Sequence, residues 1–242
     1  MDLRAQTVLS DVKRERRLRA CQRFLDTMED DPIWPRRIIF SDEKLFRLIQ
    51  PSNPKNDVHW AGENPHYTEE VKKQGGLSVM CWVGIVDGKI LPVHWFEGSV
   101  NKDSYLATLE EKVWPAVRGS ASRKGFWFQQ DGARAHTAKA CLDFLQQKFP
   151  GRVISDRLEF EWPPCSPDLN ILDYWFWNEA ERAVFKKKPS TLDDLKIVVE
   201  DVARNMSEDV IYRVADHFAL RCKMCVESRG GHFEHLLKKF IF

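Results

Sequence analysis

Apolar positions along the chain change their period several times, and each change marks an element. Leu18, Cys21, Leu25 and Met28 recur at helical spacing behind Ser10, a candidate N-cap, so the pattern predicts an amphipathic helix over 11–28. Its other faces carry Lys13, Arg14, Arg16, Arg17, Arg19 and Arg23, and Pro32 and Pro35 end it. A strand is predicted over 37–48, where Ile38, Ile39 and Phe40 lead into Ser41-Asp42-Glu43. Alternation sends Asp42 and Glu43 to opposite faces, so only one of them is expected at a given site. The run LSVMCWVGIV over 77–86 is almost wholly apolar, as a central strand buried on both faces should be. Asp87-Gly88 reads as a two-residue hairpin turn. The return strand over 89–96 contains Pro92, which cannot donate to a ladder and so marks an edge.

In the second half, Asn101 caps a helix running to about Val117, with Tyr105, Leu106, Leu109 and Val113 inward. A buried strand over 125–130 runs into Asp131-Gly132, and a helix follows over 137–149. Short strands over 153–154 and 158–162 precede WPPCSPDLNILDYWFW, residues 162–177, a proline-stiffened run that enters an apolar helix carrying Asp173. After Lys186-Lys187-Lys188-Pro189, Ser190-Thr191 caps a helix with Leu195, Val198, Val199, Val202 and Met206 on one stripe, and Ser207 starts another. Three antiparallel strands followed by alternating helices and strands predict an α/β fold: a mixed five-stranded central sheet flanked by helices. The polar stretch 51–76 is long for a simple loop, which favours a functional arm.

Composition adds boundaries rather than a function. With 43% hydrophobic residues, a 242-residue chain can bury a sizeable core. Lys plus Arg number 37 and Asp plus Glu 36, so attraction to nucleic acid would have to come from local patches. Six cysteines lie in apolar segments, as reduced thiols do, and no apolar run has membrane-spanning length. The beginning of the chain does not resemble a signal peptide, and the expectation is a soluble, intracellular protein.

Asp173 sits among Leu172, Tyr174, Trp175 and Phe176. Burying an unpaired carboxylate there is costly, so a cation is expected to meet it. Asp42 and Asp131 also follow apolar strands, and strand ends with adjacent helix starts gather at one edge of a mixed sheet. Three converging carboxylates call for neutralising cations, and hard oxygen ligands suit Mg²⁺ or Mn²⁺. Two such ions about 3.5–4 Å apart can activate a nucleophile and stabilise the leaving oxygen of a phosphodiester.

The blocks IIFSDEKLF (38–46), FQQDGARAHTA (128–138) and WPPCSPDLNILDYWFW resemble the three acidic motifs of mariner-type transposases, which are similar in fold to ribonuclease H and retroviral integrases. Gly75-Gly76, the LSVMCWVGIVDG hairpin and Arg229-Gly230-Gly231-His232-Phe233 fit the same family. The resemblance implies one ribonuclease-H-like catalytic domain, with a linker helix over 1–31, a clamp-like arm over 51–76 and C-terminal helices over 190–242. It makes Asp42 and Asp131 the first and second metal ligands and Asp173 the third. Asp168 becomes a turn residue ahead of the helix, and the alternative third ligand. His136 orients the site, contacts a phosphate or is simply structural, and Glu43 adjoins the site with its side chain turned away. The implied cofactors are two Mg²⁺ or Mn²⁺ ions. The implied partners are double-stranded DNA and a second copy of the chain, in the nucleus, with no membrane and no small-molecule substrate. The implied reaction cleaves phosphodiesters at transposon ends and joins the 3′-hydroxyls to target DNA.

Three departures stand out. Ile171 replaces a proline common in the family, and the Asp131–Asp173 interval is longer, with the excess around 151–162. The residues before Asp42 are too few for the family's N-terminal DNA-binding helices, so a catalytic domain without that module is expected. Two alternatives remain: a domesticated transposase domain that only binds DNA or protein, and a nuclease that cleaves without joining.

Further DNA contacts are assigned to Arg16, Arg19 and Arg23, to Trp60 in the arm and to Lys186, Lys187 and Lys188. For the arginines the alternative is a solvated face, and for the lysines a favourable helix terminus. Trp82, Trp127 and Trp175 are expected in the core. Cys222, Cys225, His232 and His235 have zinc-ligand types, although two core thiols and a terminal turn explain them more simply.

Overall fold

The computed structural model describes residues 9–48, 77–121 and 124–237. The expected arm over 51–76, including Trp60, lies outside them. Among the described residues six strands form one mixed sheet: β1 (Ile38–Arg47), β2 (Ser78–Val86), β3 (Lys89–Ile90), β4 (His94–Phe96), β5 (Trp127–Gln129) and β6 (Val153–Ile154). β2 pairs antiparallel with β1, β3 and β4, whereas β5 runs parallel to β1 and to β6. The single return strand expected over 89–96 is interrupted around Pro92, and its two pieces share one edge of β2. Five lanes are thus built from six strands.

Side-chain alternation along β1 divides the core. Ile38, Phe40 and Phe46 face one layer, made by α1 (Asp11–Asp30), α5 (Trp177–Lys187), α6 (Leu192–Asn205) and α7 (Glu208–Glu227). Ile39 faces the other, made by α2 (Lys102–Thr108), α3 (Trp114–Ala121) and α4 (Lys139–Lys148), with a π turn (Leu109–Val113) joining α2 to α3. α8 (Glu234–Leu237) adds Leu237 to the first layer.

Ser10 caps α1 as expected, accepting from the Lys13 amide. The inward face is rotated from the expected one: Arg17, Ala20, Cys21, Phe24 and Met28 are buried. Arg17 is fully buried, because its guanidinium forks onto Asp168 at 2.8 and 2.6 Å and also donates to the Gly230 carbonyl and the Ser166 hydroxyl. Two more residues of the basic face are engaged by acids. Arg16 pairs with Asp156 and Glu161, and Arg23 pairs with Glu159 while lying over the Phe160 ring. The extended 155–162 segment thus brings its own acids to α1. Of the three arginines assigned to DNA, Arg19 alone remains largely exposed, 4.0 Å from Glu161.

Candidate active site

Three elements deliver the three aspartates to one cavity of about 520 Å³, also lined by Glu43, Asn170 and the proline run 163–167. Asp42 lies on β1 opposite Val83 of β2. β1 and β5 pair only from Ile38 to Phe40, so from Ser41 onwards β1 has no paired strand on that side among the described residues. The loop after β5 folds into the resulting notch and carries Asp131 and His136. Asp173 comes from the turn ahead of α5.

Buried polar side chains pin this notch. The Ser41 amide donates to Gln129 Oε1 (3.1 Å), its hydroxyl to the Gln129 carbonyl (2.7 Å), and Asn170 Nδ2 to the Ser41 carbonyl (3.2 Å). Gln130 Nε2 donates to the His136 carbonyl and the Ser155 hydroxyl, while Tyr105 donates to Gln130 Oε1 at 2.8 Å. Buried polar groups bonded in this way fix a loop more tightly than apolar contacts can, although Gln129 Nε2 itself finds no acceptor among the described residues. Periodicity placed Tyr105 inward but gave no warning of Ser41, Gln129 and Gln130, polar residues within or just beyond apolar strand runs.

Glu43 departs from expectation. Its side chain leaves β1 on the face opposite Asp42, as alternation requires, yet it is not turned away from the site. His136 from the folded-back loop reaches Glu43 Oε1 with Nε2 (3.2 Å) and Asp131 Oδ1 with Nδ1 (2.6 Å), and its ring stacks on Tyr105 at 4.1 Å. The loop passes around the strand edge, so both faces of β1 contribute to one cavity. Burial alone would lower the His136 pKa, but Asp131 and then Glu43 outweigh it and raise it to about 10. At neutral pH the ring is an imidazolium that donates from both nitrogens. Asp131 is half-exposed; burial raises its pKa, but the His136 bond and the Ala133 amide more than offset that and hold it below the usual value.

Asp42 and Asp173 have no ion-pair partner among the described residues. Burial first, then the charge of Asp173, pushes Asp42 well up, and the Trp177 indole N–H donating to Asp42 Oδ2 at 2.7 Å only partly counters this. Burial likewise raises Asp173 to about 6; Lys44 opposes the shift and Asp131 adds to it. Lys44 is itself paired with Glu181 at 2.7 Å.

Among the described residues no three His, Cys, Asp or Glu side chains are drawn tightly enough to enclose a metal ion, the three aspartates included. They line a common cavity as an open donor set. That set still fits a hard divalent cation: all its donors are oxygens, and burial, with the charge of neighbouring carboxylates, pushes two of them towards protonation, a cost that a bound cation offsets.

Asp168, the alternative third ligand, is excluded by its place in the fold. It is 4% exposed, is occupied by Arg17 through both oxygens, and is absent from the cavity wall. Cys222 and Cys225 are buried beside Cys21 on the α1–α7 contact, and no zinc set forms among the described residues. Trp82 is buried as expected, whereas Trp127 and Trp175 are only partly so. Lys186, Lys187 and Lys188 are exposed at the end of α5, with Lys187 3.5 Å from Asp201.

Residues 37–196 match the family model described as DDE superfamily endonuclease. The Tcb2 transposase of a transposable element of Caenorhabditis briggsae is 26% identical over 198 residues, covering 79% of this chain and 68% of that protein. A pre-cleavage Mos1 transpososome superposes with a TM-score of 0.81 at 19% identity, over 97% of this chain and 67% of the other. A Mos1 mariner paired-end complex with Mn gives 0.80 at the same identity and coverage.

Proposed function

The chain belongs to the DDE superfamily endonucleases, and from that premise we propose that it is the catalytic part of a mariner-type transposase, cleaving DNA phosphodiesters and joining 3′-hydroxyl ends to target DNA with Mg²⁺ or Mn²⁺. One observation carries the chemistry. Asp42, Asp131 and Asp173 line one cavity, and within it Asp131 and Glu43 share the His136 imidazolium, while Asp42 and Asp173 have no ion-pair partner among the described residues and Lys44, the cation that acts on Asp173, is itself paired with Glu181.

Asp42, Asp131 and Asp173 would hold the divalent ions. Such ions neutralise phosphate charge, lower the pKa of an attacking water or hydroxyl and stabilise the leaving oxygen. The chain's own residues prepare that site. His136 fixes one oxygen of Asp131, and the Ser41–Gln129–Asn170 bonds hold the backbone from which Asp42 projects. Two structural neighbours are Mos1 paired-end complexes with Mn and with Mg, which supports the choice of ion and of DNA ends, and of two chains acting together.

The test is strand transfer on pre-cleaved duplex DNA with Mn²⁺, beside Asp131→Ala. Joined products that disappear in the variant are expected. Cleavage without joining would favour a nuclease. DNA binding with neither reaction would favour a repurposed binding module.

A further inference from the structure

Trp177 is the first residue of α5 and 2% exposed, and its indole N–H donates to Asp42 Oδ2 at 2.7 Å. The residues just before it, Leu172–Phe176, form a π turn, and the Trp177 amide reaches back to the Leu172 carbonyl, five residues earlier. One extra residue in a helical turn rotates the next turn by about 100° relative to the preceding one. This π turn therefore sets two directions at once: Asp173 faces the cavity and Trp177 faces Asp42. Phe46 and Phe176 hold the indole, with ring centroids at 6.1 and 5.2 Å.

Filling the core does not explain the bond. Trp34 and Trp82 are buried to the same degree, and their indole nitrogens have no acceptor among the described residues. This fold tolerates an indole N–H without a partner, yet the one beside the cavity is aimed at a carboxylate. The Glu43 amide also bonds the Asp42 carboxylate, and a carboxylate held in this way can no longer rotate freely, which fixes the side it turns to a cation.

We propose that Trp177 is a positioning residue for divalent-metal binding, engaging one oxygen of Asp42 and so fixing the side that the carboxylate turns to the cavity, with the Leu172–Phe176 π turn setting that geometry. This deepens the metal-dependent function proposed for the site and rests on it. Trp177→Phe keeps an aromatic ring and removes the N–H. Mn²⁺ binding to the 242-residue chain, followed by the paramagnetic resonance of free Mn²⁺, should weaken about tenfold in this variant. DNA joining should fall at limiting Mn²⁺ and return to within about twofold at saturating Mn²⁺. A purely structural role would lower the melting temperature and leave the Mn²⁺ midpoint unchanged.

Should Trp177→Phe fail to fold, the wild-type indole Nε1–H resonance decides. It should shift on Mg²⁺ addition with the midpoint of metal binding, and an unmoved resonance overturns the proposal. A folded Trp177→Phe that binds Mn²⁺ as tightly as the wild type also overturns it, and leaves the function standing. Failure of the wild type to show any Mn²⁺ binding that Asp42→Asn removes would instead overturn the metal-dependent function, and this inference with it.

Discussion

Asp168 and Asp173 stand five residues apart in one proline-led stretch, and their surroundings assign them opposite work. Asp168 is buried against Arg17 with both oxygens engaged, and Arg221 donates to its carbonyl at 2.8 Å. It ties the stretch to α1 and α7. Asp173 lines an open cavity without a paired cation among the described residues, and burial raises it to about 6. A satisfied buried ion pair is scaffold, and a set of carboxylates left unneutralised is a site awaiting charge.

The sharpest way to break this comparison is to neutralise each acid in turn. Asp173→Asn should cut Mn²⁺-dependent cleavage by about 10³-fold or more, because an electrostatic contact to the reacting centre is lost. Metal-free melting should not fall and should rise by a few degrees, since a repelling charge is removed. Asp168→Asn should do the reverse. It leaves Arg17 buried without its partner, costing about 3–5 kcal/mol and roughly 10 °C, while any molecules still folded keep binding Mn²⁺. A melting temperature unmoved by Asp168→Asn would remove the structural assignment. Full activity in Asp173→Asn would remove the catalytic one.

Metal and pH sharpen the same contrast. A carboxyl whose folded pKa is raised is less costly when protonated, so metal-free protein should gain stability as pH falls from about 6 towards 3.8. Saturating Mg²⁺ should add about 2–3 kcal/mol above pH 6 and progressively less below it, as protons displace it from Asp173 and Asp42. His136 acts in the same direction at higher pH. Its folded pKa is raised, so its stabilisation is complete below 6.5 and is lost as pH rises through about 10. Thermal melts with Mg²⁺ and with a chelator across this range check all three statements. A Mg²⁺ increment independent of pH would contradict the carboxylate assignment.

Local pattern made the main strands legible because their period is set by their own neighbours, and it set Asp42 and Asp131 after apolar strands and Asp173 at the start of an apolar helix; the resemblance to the transposase motifs singled these three out among 36 acidic residues. The features that stayed hidden depend on distant partners. Arg17 looks like another surface cation until Asp168, Ser166 and Gly230 come round to bury it. Glu43 is sent to the wrong face by alternation, and only the edge left by a short β5 lets His136 join the two faces. Trp177 carried one usable signal: it stands one helical turn beyond Asp173, in a run too aromatic for a solvent-facing turn.

The smallest expected effects concern the basic surfaces, where the same contrast recurs between paired and unpaired charge. Arg23 is engaged by Glu159 and Phe160, so Arg23→Gln should cost under about 1 kcal/mol of stability and leave DNA affinity and its salt dependence unchanged. Lys186 and Lys188 are exposed and have no ion-pair partner among the described residues. If they track a phosphate backbone, replacing both by Gln should reduce the slope of log affinity against log salt by about 1–2. Each cation that meets a phosphate releases a counterion; one already neutralised by a neighbouring carboxylate releases none. A shallower slope for Arg23→Gln than for the lysine pair would mean that the 155–162 segment yields α1 to DNA, and would move the interface to that helix.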